Sequence, residues 1–243
     1  MITAAAHATR TVAFGDLRTG VWGAIWGGAR PVAVIGSGDR SLSGPASVTG
    51  SDPDADWTIS GDGVELTLAP EAGPVSINDA GFEQLCRATG EIVVGGHEQR
   101  VECLGRRGAR AEEFDLARFE SLRDVSAWFG AHEGLVVLAL RPRGARGHDA
   151  ELISVALIEP EPAIASDPRL STTYASTGLP ARASVELWLG DDESEQYPRR
   201  AAGEAVGAGA SEWVDGLELQ ASLFHWYSRG RDGAGVYLLV RAR

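Results

Sequence analysis

The stretch Glu91–Leu104 reads EIVVGGHEQRVECL and decides the fold. Two runs with apolar residues at every second position flank the pair Gly95-Gly96. Adjacent glycines reach the positive backbone φ angles that a two-residue β-hairpin turn needs. The stretch therefore predicts an antiparallel hairpin in which Val94 lies opposite His97, and every further pair follows in the same register.

This register gives the hairpin one mainly apolar face and one charged face. On the charged face Arg100 lies directly opposite Glu91, which is a favourable cross-strand pair. On the apolar face Cys86 is the diagonal neighbour of Cys103 at roughly 7–8 Å. That separation exceeds the usual reach of a disulfide bond. The register therefore predicts two thiols that lie near each other and remain unbonded.

The residues before the hairpin, Phe82–Thr89, fit two structures. Asp79 could cap a short helix that ends at Gly90. The same residues also alternate as a strand that runs on into the hairpin. We favour the strand, because a strong hairpin turn follows it.

The rest of the chain repeats this pattern of alternating runs separated by glycine and proline turns. Further strands are predicted at Val21–Gly27, Arg30–Ile35, Asp56–Ile59, Val64–Ala69, Ser121–Gly130, Gly134–Arg141, Glu151–Glu159, Ser171–Ala175, Ser184–Leu189, Leu217–Tyr227 and Gly235–Arg241. The pattern predicts an all-β fold, an antiparallel barrel or sandwich with little helix. The Ala/Gly-rich segment Ala201–Ala210 reads as a flexible loop. A junction at Arg106–Glu113 divides the chain into two β-domains, residues 1–110 and 111–243.

The composition excludes several classes of function. The chain has 243 residues and a formal net charge of -12 at pH 7. A surface of that sign repels nucleic-acid phosphates and anionic membranes. All 22 basic residues are arginine, and a chain without lysine cannot form a Schiff base or a lysine-containing phosphate-binding loop. We therefore expect no nucleic-acid partner and no pyridoxal cofactor.

Targeting, metal and nucleotide signals are also missing from the sequence. The N-terminal residues lack a basic segment followed by an apolar run, and no stretch approaches the roughly 18 apolar residues of a membrane span. We expect a cytoplasmic protein with reduced thiols and no membrane insertion. The histidines show no metal-ligand spacing, and no glycine-rich loop opens a helix. No metal and no other cofactor is expected.

Polar residues within apolar strands are the candidates for a site. His97 and Gln99 lie on the apolar face of the hairpin, either as satisfied core residues or as the lining of a cavity. In Phe224-His225-Trp226-Tyr227, alternation turns either the first and third side chains or the second and fourth inward. These side chains either pack a core or contact a ligand. Glu102, on the charged face, is an acid–base candidate if it faces a cavity.

The stretch His97–Arg107, HEQRVECLGRR, resembles a motif of the lipocalin-like proteins related to carotenoid 1,2-hydratase, the AttH-like group. A Gly-x-Gly-Gln-Arg-Asp-His-Ser-Trp-Gly-x-Arg run is common in that family. The segments Ser184–Leu189 and Leu223–Val240 are similar to the same family. The resemblance implies two lipocalin-like β-domains packed side by side. It also implies hydration of isoprenoid double bonds or cyclisation of polyketide or terpenoid chains.

The motif carries over to this chain only in part. The matching residues are Gln99, Arg100, Gly105 and Arg107. The acidic and histidine positions hold Val101 and Glu102, and the tryptophan position holds Leu104. Of these substitutes only Glu102 can donate a proton.

Two hypotheses about function follow. The first is binding of an apolar small molecule, such as an isoprenoid, lipid or polyketide-like compound, in a barrel or inter-domain cavity. Its ligand contacts would be His97, Gln99, Arg100, Phe224, Trp226 and Tyr227. The alternative is a hydratase or cyclase that uses general acid catalysis by Glu102 or His225.

Overall fold

The structure is a computed structural model and describes residues 9–77, 81–111, 115–146, 151–160, 165, 167–189, 198–214 and 216–242. These residues form 18 strands, one 3₁₀ turn at Leu116–Arg118 and no α-helix. None of them forms a helix with the length and apolar character needed to cross a bilayer. The prediction of an all-β chain with little helix is confirmed.

The strands are β1 Thr9–Asp16, β2 Val21–Gly27, β3 Val32–Ser37, β4 Arg40–Thr49, β5 Trp57–Gly61, β6 Val64–Pro70, β7 Val75–Ser76, β8 Gly81–Val94, β9 His97–Arg110, β10 Phe119–Gly130, β11 Glu133–Pro142, β12 Leu152–Ile158, β13 Arg169–Tyr174, β14 Pro180–Leu187, β15 Arg199–Ala205, β16 Ala210–Val214, β17 Leu217–Ser228 and β18 Arg231–Ala242.

The first sheet closes on itself as an eight-stranded barrel. Its strands follow the chain in antiparallel order from β1 to β6, and β6 then pairs with β8. β8 pairs with β9, and β9 closes the barrel on β1, with Thr9 opposite Arg110. The two-residue strand β7 pairs with β8 outside this circle.

The hairpin of β8 and β9 has the predicted register, with Glu91 opposite Arg100. Phe82–Thr89 is part of β8, so the strand alternative is confirmed. Asp79, the cap of the alternative helix, lies outside the described residues.

The second sheet is a half-barrel that stays open. Its antiparallel order is β12-β11-β10-β18-β17-β15-β14-β13, and β16 pairs with the first part of β17. The prediction of a flexible loop at Ala201–Ala210 is wrong for Ala201–Ala205, because β15 pairs with both β14 and β17 there, and only residues 206–209 connect β15 to β16 outside a strand. Small residues suit this strand, since a Cβ atom on Gly203 would come within 2.6 Å of the Trp226 ring.

The chain passes from the barrel to the half-barrel between the end of β9 and the start of β10. Part of the predicted junction, residues 112–113, lies outside the described residues. That each half is a domain, residues 1–110 and 111–243, stays a prediction.

Three apolar clusters fill the molecule. The first fills the barrel and includes Phe14 and Trp57. The second lies between the two sheets and joins residues of both, among them Trp22 and Leu223. The third fills the half-barrel and includes Trp226. The interiors of both units are therefore occupied by side chains, and the two units share one apolar seam.

Arg107, a retained residue of the family motif, is structural. Its side chain is fully buried and stands over Trp57, with its guanidinium carbon 5.0 Å from the ring centroid. The guanidinium donates hydrogen bonds to the backbone oxygens of Pro53, Ala55 and Leu68 at 2.6–2.9 Å. These bonds tie the loop between β4 and β5 to strands β6 and β9 of the barrel.

Arg106, the next residue, is buried in the seam between the two sheets. Its guanidinium bonds Glu83 of the barrel at 2.9 Å and Asp124 of the half-barrel. Arg110 bonds the other oxygen of Glu83 at 3.1 Å. Burial raises the pKa of the Glu83 carboxyl above its ordinary value, against the opposing effect of the two arginines. One buried cation thus joins carboxylates from the two sheets.

The Arg106→Met change is expected to destabilise the protein strongly, because it leaves two buried carboxylates without their shared cation. Breaking a buried ion pair in this way costs about 3–5 kcal/mol. Urea unfolding measures the loss. The control is Arg100→Met, which removes an arginine that is 82% exposed and 3.7 Å from Glu102, and should cost less than about 0.5 kcal/mol. Equal losses in the two variants would contradict the assigned role of Arg106.

The thiols of Cys86 and Cys103 are free and buried in the barrel core, as the hairpin register predicted. Burial raises the pKa of each thiol to about 12, so almost no reactive thiolate exists at pH 8. We expect a disulfide reagent to modify neither cysteine in the native protein and both after denaturation. Absorbance measures the modification. Rapid modification of the native protein would contradict this packing.

Candidate functional site

Alternation along β17 separates the four predicted aromatic-strand residues. Phe224 and Trp226 are fully buried and stack with ring centroids 5.7 Å apart inside the half-barrel. His225 and Tyr227 point to the other face, where Tyr227 is 55% exposed. The structure therefore places Phe224 and Trp226 in the core of the half-barrel and not on the wall of a hollow. Ligand contact by these two residues stays a prediction.

The face that carries His225 and Tyr227 is a groove of about 660 Å³. Two rows of facing residues cross it from β13 to β17. The first row is Thr173, Arg182, Glu204 and His225, and the second is Ser171, Ser184, Ala202 and Tyr227. The backbone of Thr172, Ala183 and Gly203 lies between the rows. The groove is thus a polar sheet face with a floor of small residues.

His225 is oriented by a carboxylate. Its Nε2 atom lies 2.8 Å from Oδ1 of Asp232 in the facing strand β18. The imidazole is 39% exposed and the carboxylate 73%, so the pair is open to the groove. An imidazole held by a carboxylate can accept and return a proton, which is the requirement for general acid–base chemistry.

A second hollow of about 390 Å³ lies between the barrel and the half-barrel. Its apolar walls are half-buried or buried side chains from both units, namely Leu17, Leu104, Trp128, Phe129 and Ala234. It adjoins the groove at Asp232, which lines both. The groove and this inter-sheet cleft are together called the depression.

A third, smaller hollow of about 170 Å³ extends the inter-sheet cleft along the barrel. Arg100 lies here, and Glu102 lines both this hollow and the cleft. The two side chains form an exposed ion pair at 3.7 Å. The two predicted acid–base residues thus line different hollows, Glu102 the cleft and the third hollow and His225 the groove.

The remaining predicted residues lie outside this depression. Gln99 is half-buried in β9 and accepts a hydrogen bond of 2.6 Å from the Ser37 hydroxyl. His97 is exposed beside the hairpin turn, although the pattern had placed it on the apolar face. Neither lines any of the three hollows. A ligand contact by either residue stays a prediction.

Several lining residues were not singled out from the sequence. Arg182 and Glu204 face His225 only because β14, β15 and β17 are neighbours in the sheet. Leu17 reaches the cleft from the turn between β1 and β2. Asp232 fell within a predicted turn, and its position opposite Tyr227 follows from a tighter turn at Arg229, whose φ of 51° is left-handed. These positions could have been predicted only with knowledge of the order of the strands in the sheet.

The described residues place no group of three or more His, Cys, Asp or Glu side chains where they could hold a metal ion. The hollows are lined by ionisable side chains of both signs. These are the His225–Asp232 pair, the carboxylates Asp16, Glu102 and Glu204, and the arginines Arg18, Arg100 and Arg182.

Solved structures share this fold, whereas no protein-family model and no curated protein matches the sequence. CghA, crystallised with Sch210972, superposes with a TM-score of 0.64 at 10% identity, over 96% of this chain and 88% of that one. An AttH-like protein from Nitrosomonas europaea gives 0.61 at 8% identity, over 96% and 91%. Kievitone hydratase from Nectria haematococca gives 0.57 at 6% identity, over 96% and 88%. At these identities the likeness shows the fold alone, two lipocalin-like β-units side by side.

Proposed function

We propose that the protein binds a small, mainly apolar molecule in the inter-sheet cleft, with isoprenoid, lipid or polyketide-like compounds as its class. The observation that supports this proposal is that apolar side chains in the wall of the cleft stay partly exposed. Leu17, Leu104 and Phe129 stay partly exposed there, in a concave site between two units. Partly exposed apolar side chains in a concavity lose their contact with water when an apolar ligand enters.

The two interiors are poorer candidates for the same ligand. Phe14 and Trp57 occupy the barrel, and Phe224, Trp226 and Tyr237 occupy the half-barrel. A ligand in either place would have to displace fully buried rings, which are closely packed. The cleft offers about 390 Å³ without such displacement, and ligand sites commonly enclose about 300–1,000 Å³.

The structural neighbours support the same class of ligand. One was crystallised with Sch210972, and another is named kievitone hydratase. The partial match of His97–Arg107 to the motif of the carotenoid 1,2-hydratase family points the same way. Together these observations favour binding of an apolar molecule, and membership of that family is part of this proposal.

A hydratase is the second candidate, and the His225–Asp232 pair favours it. Addition of water to an alkene needs an acid that protonates one carbon and a base that activates water. His225 lines the groove and bonds Asp232, which also lines the cleft, and Glu102 lines the cleft. In this candidate one group protonates an alkene carbon, and the other takes a proton from the water that attacks the neighbouring carbon.

The Leu104→Ala change tests the binding site. Leu104 is half-buried in the cleft wall, and loss of its terminal carbons should weaken binding of the neutral dye Nile red by about 1–2 kcal/mol. Fluorescence titration measures the affinity. The control is Leu152→Ala, which shortens a leucine that is 59% exposed on β12 and lines none of the three hollows. An unchanged affinity in Leu104→Ala, with the fold intact, would remove the cleft from consideration.

The hydratase candidate is tested with unsaturated isoprenoid alcohols in ¹⁸O-labelled water. If it holds, mass spectrometry finds a product heavier by one labelled water. His225→Gln should abolish that product and leave the affinity for Nile red unchanged, because the imidazole lies outside the cleft wall. Absence of product from the wild-type protein across the series would reject hydration and leave the binding proposal standing.

A further inference from the structure

The groove beside the cleft has a different chemical character and calls for its own ligand. It is the largest of the three hollows, at about 660 Å³. Its side chains are hydroxyls, an imidazole, carboxylates and a guanidinium, with one exposed aromatic ring, Tyr227. Much of the surface that these residues expose is carbon, and the polar groups between it lose water unless a ligand offers them hydrogen bonds, so a ligand with both apolar faces and hydroxyl groups fits the groove better than a purely apolar one.

The charges of the groove select against a simple ion. Arg182 is exposed, and the carboxylate of Glu204 stands opposite it in the neighbouring strand, with Asp232 further along. An anion would meet the two carboxylates and a cation would meet the guanidinium. Single exposed ion pairs contribute only about 0–1 kcal/mol, so neither sign of charge gains a large advantage.

The same groups form a close mixture of hydrogen-bond donors and acceptors. The side chains of Arg182 and Glu204 form no ion pair or hydrogen bond with the residues that the structure describes, so both remain available to a ligand. Arg182 offers donors only, Glu204 acceptors only, and the hydroxyl of Ser184 offers both. A neutral molecule with several hydroxyl groups matches this mixture.

The dimensions and the aromatic ring fit a sugar. Neighbouring rows of side chains lie roughly 7 Å apart along the strands, and the four strands span roughly 14 Å. Tyr227 stands at one side of this area with 55% of its surface exposed. An aromatic ring of this kind offers a flat apolar face and a polar tip, which suits a sugar ring with its C–H face and its hydroxyls.

We infer that the groove binds the sugar ring of a glycosylated apolar molecule, whose apolar part enters the adjoining cleft at Asp232. The apolar part of this inference rests on the proposed function, whereas the sugar site does not. Most hydrogen-bonding side chains of the groove are solvent-exposed, so a free sugar binds weakly there. Joining it to an apolar chain raises the affinity, because the two parts then bind as one molecule.

The test compares octyl glucoside and octyl galactoside, below their micelle concentrations, with 1-octanol as competitors of Nile red. At least one glycoside should displace the dye at about ten-fold lower concentration than octanol, as expected for one or two additional hydrogen bonds to charged groups. Tyr227→Ala and Arg182→Gln should reduce this advantage and leave displacement by octanol unchanged. The matched control is Tyr174→Ala, because Tyr174 is 43% exposed and lines none of the three hollows.

Equal displacement by octanol and both glycosides would overturn the sugar site and leave the apolar cleft intact. An advantage that persists in both groove variants would overturn it as well. If Nile red fails to bind the wild-type protein, the proposed function fails. Saturation-transfer NMR with methyl glucoside and methyl galactoside then decides the sugar site alone: a signal lost in Tyr227→Ala supports it, and no signal rejects it.

Discussion

The buried guanidinium of Arg106 fixes how the two sheets meet. Apolar surfaces such as those around Trp22 and Leu223 attract each other in many orientations, because the hydrophobic effect has no direction. A buried cation shared by Glu83 and Asp124 does have direction, since a rotated contact would leave charges buried without partners. The seam therefore combines a non-specific attraction with one specific electrostatic constraint.

The position of the candidate site depends on that seam. The cleft lies at the edge of the apolar contact, with Leu17 on the barrel side and Phe129 on the half-barrel side. One wall belongs to the barrel and the other to the half-barrel, so the width of the site is a property of their relative orientation. Filled interiors make each unit a stiff block. The proposed ligand would thus meet a preformed cleft whose shape is set by the contact between the blocks.

Local signals in the sequence were sufficient for most of the described strands and for one register, but they did not predict β1, β4, β7, β15 or β16. The pair Gly95-Gly96 fixes the turn of the central hairpin, and alternation then fixes every pair from Val94 with His97 to Gly81 with Arg110. The same logic failed at Ala201–Ala205, where small residues were read as part of a loop. They lie in a strand because the Trp226 ring covers Gly203 from the facing strand, and the identity of that strand is not a local property.

The candidate site was predictable only in fragments, for a related physical reason. Alternation separates His225 and Tyr227 from their neighbours in β17, but a period of two does not say which face is buried. The groove forms because β15 pairs with β17 beyond the short strand β16, which brings Arg182 and Glu204 into line with His225. The cleft needs the orientation of two sheets. Both depend on contacts between residues far apart in the sequence.

Both sheets pair an early strand with a late one. β1 pairs with β9, where Thr9 lies opposite Arg110, and β10 pairs with β18, where Leu122 lies opposite Val240. Contacts of such long sequence separation close slowly, because the chain entropy of the loop is lost before the contacts form. During synthesis β1 and β10 each emerge well before their last partner, with one edge unpaired. The first strand of each unit is therefore where a nascent chain depends most on protection from premature association.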